Sequence, residues 1–152
     1  MSLSAYRAVF LRVHPTGKSV LSLTTAGGGQ EAQLAQIVSN ELGVPATDVK
    51  VVPEDGDRFG DGHGFLTDPS GGTANAVAAT CRKIRDKAQL LAASMLGVSP
   101  QNLSWSNGAW SPGRDPSQGK RIEEIALYAH AGAIELPPGM EGSLDAQTAY
   151  RD

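Results

Sequence analysis

The sequence predicts an α+β domain: a mostly antiparallel sheet built of hairpins, with a long amphipathic helix and two shorter helices packed on one face. Three observations carry this. The first is an apolar stripe in 73–96, where Ala74, Val77, Cys81, Ile84, Ala88, Leu91 and Met95 recur at alternating spacings of three and four. The second is a pair of hairpin turns, His14-Pro15-Thr16-Gly17-Lys18 and Asn107-Gly108, each between short β-forming runs. The third is the order of elements, in which hairpins and helices alternate instead of forming a regular βα series.

The elements follow in order. Residues 5–13 read as a strand, with Val9, Leu11 and Val13 alternating against Ala8, Phe10 and Arg12. The turn at 14–18 returns the chain as a second strand over 19–24. Ala26-Gly27-Gly28-Gly29 then opens a helix carrying Leu34, Ile37, Val38 and Leu42 on one face, with Gly43 as its left-handed stop. Val49–Val52 reads as a short buried strand, and 54–72 as a polar, glycine-rich loop. The long helix follows, capped by Thr73 or Ser70, and would span roughly 36 Å. Arg82, Lys83, Arg85, Asp86, Lys87 and Gln89 fall on its solvated side.

Leu42-Gly43-Val44 with Pro45, Asp48 and Val49 echoes Leu96-Gly97-Val98 with Pro100, Asn102 and Leu103. The echo reads better as one capping solution used twice than as a repeated unit. Trp105 and Trp110 face each other across the second hairpin and are expected to cover the edge of the core. Ile122, Ile125, Ala126 and Ala129 mark a last helix ending near Gly132. The expected organisation is one domain over 4–134 and an extended C-terminal tail over 135–152, which contains Pro137-Pro138-Gly139.

Composition narrows the function classes. The 152 residues are 40% hydrophobic and 19% charged, with a net charge of −3, which gives no bulk attraction to nucleic acid or to an anionic membrane surface. The apolar runs are too short to span a bilayer, so no membrane partner is expected. The lone Cys81 forms no internal disulfide and suits a reducing cytoplasm. Glycine is the unusual count, at 18, concentrated around 27–29 and 56–72. Backbone so free of side chains serves tight turns or close approach to a ligand.

Tests for self-contained chemistry give little. Gly27-Gly28-Gly29-Gln30, between a strand and a helix, offers bare amides to an anion, or is a tight turn only. It carries neither a dinucleotide fingerprint nor a phosphate-loop lysine. Residues 54–61 resemble a calcium loop, but Phe59 occupies a ligand position and Leu66 stands where the closing glutamate belongs. His14, His63 and His130 share no metal-ligand spacing; of the three, His63, between Gly62 and Gly64, is the candidate for a ligand role, although it reads better as a surface loop histidine. Cys81 sits on the apolar stripe as a core residue. Ser70 lacks the glycine that a nucleophile elbow needs, because Asp68 stands there. No catalytic residue is assigned.

A family resemblance completes the reading. Gly27-Gly28-Gly29-Gln30, Leu34-Ala35-Gln36-Ile37-Val38, Glu41-Leu42-Gly43-Val44-Pro45, Asp48-Val49 and Asp55-Gly56-Asp57-Arg58 resemble one segment of the molybdopterin-binding large subunit in the xanthine dehydrogenase and aldehyde oxidase superfamily. Arg82-Lys83-Ile84, Ala92-Ala93-Ser94-Met95-Leu96, Asn102-Leu103-Ser104-Trp105 and Pro137-Pro138-Gly139-Met140-Glu141 are most similar to the aerobic carbon monoxide dehydrogenase branch. The resemblance implies a molybdenum–molybdopterin cofactor, held with the remaining segments or subunits of a molybdenum hydroxylase. The cofactor-binding positions it implies are Gly27, Gly28, Gly29, Gln30, Gly62, His63, Gly64 and Thr67.

The sequence departs from the family in two loops. The family's Gly-Gln-Gly-His is Gly27-Gly28-Gly29-Gln30 here, and its Gly-Ser-Arg-Ser corresponds to about Thr67-Asp68-Pro69-Ser70. Both changes remove side-chain donors for an anionic pterin, and Asp68 adds repulsion. The family's catalytic glutamate lies outside the matching segment. Three roles therefore stay open: a working segment of a hydroxylase, a non-catalytic binding or assembly module, or a scaffold. A segment with neighbours on both sides should also expose apolar surface, so a homodimer is expected.

Overall fold

The computed structural model describes residues 6–23, 31–52, 72–106, 108–113, 118–131 and 144–151. Strands β1 (Tyr6–Val13) and β2 (Ser19–Leu23) form the first hairpin, followed by helix α1 (Glu31–Leu42) and strand β3 (Val49–Val52). The long helix α2 (Gly72–Leu96) comes next, then the second hairpin β4 (Leu103–Ser106) and β5 (Ala109–Pro112). A two-residue β6 (Lys120–Arg121), helix α3 (Ile122–Ala131) and strand β7 (Leu144–Arg151) complete the described chain. The main sheet has the order β3-β2-β1-β7, and the smaller one β4-β5-β6. The pairings are antiparallel except for β2 with β3, which run parallel. This is the α+β fold the sequence predicts.

Alternation sets the faces of the main sheet. Val9, Leu11 and Val13 of β1 lie opposite Leu23, Leu21 and Ser19 of β2 on one side, and opposite Thr148, Ala146 and Leu144 of β7 on the other. That face meets the helices: Leu34, Val38 and Leu42 of α1, Val77, Cys81, Ile84, Ala88 and Leu91 of α2, and Ile122, Ile125 and Ala129 of α3 join one buried cluster. Val77, Cys81, Ile84, Ala88 and Leu91 are fully buried, while Arg82, Lys83 and Asp86 are exposed, so the predicted stripe is the packed face of α2. On the opposite face Arg12 donates to Asp145 Oδ2 from Nε and Nη2, at 3.1 and 3.0 Å, directly across the β1–β7 pair.

Both predicted helix stops are present. Gly43 and Gly97 have φ of 70° and 67°, and each is followed by a single 3₁₀ turn, Ala46–Asp48 or Pro100–Asn102, that feeds a strand. The two strands enter different sheets, β3 the main one and β4 the smaller. The echo is therefore shared cap chemistry.

Three details differ from the sequence reading. Val49 and Val51 are only half-buried, because β3 is an end strand of its sheet. Thr73 is inside α2, which starts at Gly72, while Ser70 lies outside the described residues. Residues 144–151, read as part of an extended tail, form a strand paired with β1 along its whole length. Main-chain pairing and the burial of Leu144 hold it there, with Lys83 Nζ donating to Gln147 O at 2.9 Å.

Candidate functional site

Among the described residues, the parallel strands β2 and β3 end side by side, and the two glycine-rich segments follow them in sequence. Ser22 is in register with Val52, so both strands end at the same level, about 4.8 Å apart. Segment 24–30 departs after Leu23, and segment 53–71 after Val52. Helix α1 is the crossover between these parallel strands and must run back against them, which sets its amino end at this same edge. Such edges, at the carboxyl ends of parallel strands, are where open α/β units take ligands.

Side-chain contacts orient α2 in the same way. The Thr80 hydroxyl lies 2.7 Å from the Thr148 hydroxyl, and Lys83 reaches Gln147 O. Moving from Thr80 to Lys83 thus follows β7 backwards, so α2 runs antiparallel to β7. Because β7 and β2 both pair antiparallel with β1, α2 also runs antiparallel to β2. Thr148 is level with Val9 and Leu23, and α2 extends a further ~12 Å from Thr80 towards Gly72. The amino ends of α1 and α2 therefore both stand at the glycine edge. Their first-turn N–H groups, which have no partner within the helix, and their helix dipoles favour an anionic ligand there.

The frame behind this edge is tied at several points. Glu41 near the end of α1 pairs with Arg82 at 3.3 Å and with Arg85 at 3.4 Å on α2. The Arg85 guanidinium also lies 5.6 Å over the Trp105 ring, and Trp110 Nε1 donates to Arg85 O at 3.0 Å. Trp105 and Trp110 meet at 5.4 Å across the hairpin, with Trp110 buried, which is the edge-covering role expected for them. Cys81 lies in the core of this frame. Burial pushes its thiol up to about 12, the Glu41 charge adds to that, and Arg85 and Arg82 oppose it.

Gly27, Gly28, Gly29, Gln30, Gly62, His63, Gly64 and Thr67 all lie outside the described residues. The structure brings together the strand ends and helix starts from which their segments depart. It also brings together two side chains that sequence spacing separates. His14 in the first turn and His130 in the last turn of α3 line one cavity of about 310 Å³ with Arg12, Val13 and Leu144. This cavity is at the opposite end of the sheet from the glycine edge. No local pattern announces it, because it arises only when α3 docks beside the β1–β2 turn. Among the described residues, no group of three or more His, Cys, Asp and Glu is placed to hold a metal ion.

Comparison with known proteins gives consistent matches. The family model described as molybdopterin cofactor-binding domain matches residues 2–152. The carbon monoxide dehydrogenase large chain of Afipia carboxidovorans is 34% identical over 155 residues, covering 99% of this chain and 18% of its own length. That of Hydrogenophaga pseudoflava is 37% identical over 139 residues, covering 86% of this chain and 17% of its own. Among solved structures, the Cu,Mo-CO dehydrogenase in its carbon monoxide reduced state superposes with a TM-score of 0.84 at 30% identity, over 98% of this chain and 19% of that one. Quinoline 2-oxidoreductase from Pseudomonas putida 86 superposes at 0.75 and 25% identity, over 97% of this chain and 19% of that one. The chain thus spans under a fifth of the length of these relatives.

Proposed function

The chain belongs to the molybdopterin cofactor-binding domain family, and on that premise we propose that it is a cofactor-holding segment of a molybdenum hydroxylase of the carbon monoxide dehydrogenase type. It works with the remaining segments or subunits of that enzyme. One observation carries the reading: β2 and β3, the strands that precede the two glycine-rich segments in sequence, end side by side at an edge that also holds the amino ends of α1 and α2.

That edge suits an anionic pterin through its backbone. The amides of residues 27–30 and 60–64 would hold the cofactor, with Gln30, His63 and Thr67 beside it. The bound molybdenum would supply the redox chemistry on a substrate such as carbon monoxide, an aldehyde or an N-heterocycle. This chain's share is to bind and orient, since no catalytic residue is assigned to it. Valine at Gly28 and Gly29 tests the assignment: the double variant should fold and lose pterin, and undiminished pterin content would refute it.

A second reading has its own observation. Gly28 and Gln30 stand where the family has cofactor-holding glutamine and histidine, and Pro69 stands in place of an arginine. A non-catalytic binding or assembly module would tolerate those losses, and it predicts a folded complex without pterin. In either role the setting is cytoplasmic. The exposed Leu90 and Leu127, on the helical layer, support a homodimer, which a monomeric mass by light scattering would contradict. Among the described residues, no helix is long and apolar enough to cross a membrane.

A further inference from the structure

At the end of the sheet away from the glycine edge, the cavity of about 310 Å³ lies where the carboxyl half of α3 meets the ends of β1 and β7. Val13 and Leu144, in register and buried on the helix-facing side of the sheet, and buried Ala126 of α3 form its apolar part. His14 and His130 supply its imidazoles. The chain has three histidines, and these two, far apart in sequence, line one cavity. Fixed backbone carries both. His14 N donates to Lys18 O at 2.8 Å and His14 O accepts from Gly17 N at 2.9 Å, while His130 follows Ala126 by one turn on the same face of α3. Among the described residues, neither ring has a hydrogen-bond or ion-pair partner.

The surroundings indicate what this pair takes. Imidazole is the commonest protein ligand for transition metals. His130 stands in the last turn of α3, where the helix dipole and the unpaired carbonyls favour a cation over an anion. Arg12 also lines the cavity, but its charge is compensated: Nε and Nη2 donate to Asp145 Oδ2, and the guanidinium lies 5.5 Å over the Phe10 ring, on the sheet face away from the helices. We propose that His14 and His130 bind a divalent transition metal of the zinc type, with water in the remaining coordination positions. Two protein ligands agree with the absence, among the described residues, of any larger ligand group. A sphere of the cavity's volume is about 8 Å across, within which rotation of the two side chains can set one nitrogen of each ring about 2.0–2.1 Å from a shared ion. Magnesium and calcium, which need oxygen ligands, find no carboxylate on these walls. A bound ion would clasp the β1–β2 turn to α3. The site shares no residue with the glycine edge, so it stands independently of the cofactor reading.

The test is a calorimetric titration of the untagged 152-residue chain with Zn²⁺, and with Mg²⁺ as the control. Saturable uptake of one Zn²⁺ per chain is expected, with no uptake of Mg²⁺ and a higher melting temperature at saturating Zn²⁺. His14→Gln and His130→Gln should each weaken binding by at least about tenfold, the loss that even a supporting residue of a metal site brings. H14Q/H130Q should bind little worse than either single variant, because one imidazole alone cannot chelate. His130 is exposed, so H130Q keeps the fold, and its metal-free melting temperature should equal the parent's. The proposal is overturned by unsaturable uptake, by either single variant binding like the parent, or by the same Zn²⁺-dependent rise in melting temperature in H130Q.

Discussion

Gly108, at the turn of the second hairpin, lies so close to the end of α1 that a Cβ on it would stand 2.9 Å from the carbonyl oxygen of Gly43. Its φ is 79°, and its own carbonyl accepts from Ile122 N at 2.9 Å where α3 begins. One residue thus joins α1, the β4–β5 hairpin and α3.

Gly108→Ala should therefore cost about 3 kcal/mol, combining left-handed strain with a backbone clash. Gly97→Ala is the matched control. It has a φ of 67° but open space around the added methyl, so only the strain applies, about 1 kcal/mol. Urea denaturation of the two variants decides the point, and equal losses would show that the contact with Gly43 is not tight.

The two arginines that reach Glu41 should differ in weight. Arg82 is 61% exposed and contributes one screened pair, so R82A should change stability by less than about 0.5 kcal/mol. Arg85 also donates to Glu41 O at 3.3 Å and packs over Trp105. R85A should cost about 1–2 kcal/mol, with a smaller salt dependence than R82A in proportion to its size. Chemical denaturation at low and high salt separates them.

The Thr80–Thr148 contact fastens the site end of α2 to β7. Thr80 is fully buried, and its hydroxyl also lies 2.7 Å from Ala76 O. A double-mutant cycle with T80V and T148V should return a coupling of about 0.5–1.5 kcal/mol. Additive losses would mean that the two hydroxyls do not share a bond.

Cys81 should be inert in the folded chain. With its thiol pushed up to about 12, the thiolate is about one part in ten thousand at pH 8, so alkylation should await unfolding. The linkage has a definite sign. The folded state holds its proton above the ordinary value of 9.0, so stability is full below pH 9 and falls as pH rises from there towards 12. Cys81→Ala should flatten that part of the pH–stability profile.

Much of this architecture was legible from periodicity and turn chemistry. The stripe from Val77 to Leu91 is long enough for only a helix to satisfy it, and Asn107-Gly108 supports a tight hairpin whatever surrounds it. Pairing between distant segments was not legible. Leu144, Ala146 and Thr148 alternate with Asp145 and Gln147, but alanine in place of a branched residue made a weak strand signal. The parallel register of Ser22 with Val52, which defines the candidate site, depends on α1 crossing over, and no local motif encodes it.

The central claim is that the glycine edge holds a molybdenum–pterin cofactor. Its most direct test is the molybdenum and pterin content of the untagged protein purified from its own source, together with whatever co-elutes. The account predicts stoichiometric molybdenum and pterin in the complex that contains this chain. A folded complex with neither would contradict it and leave the chain as a binding or assembly module.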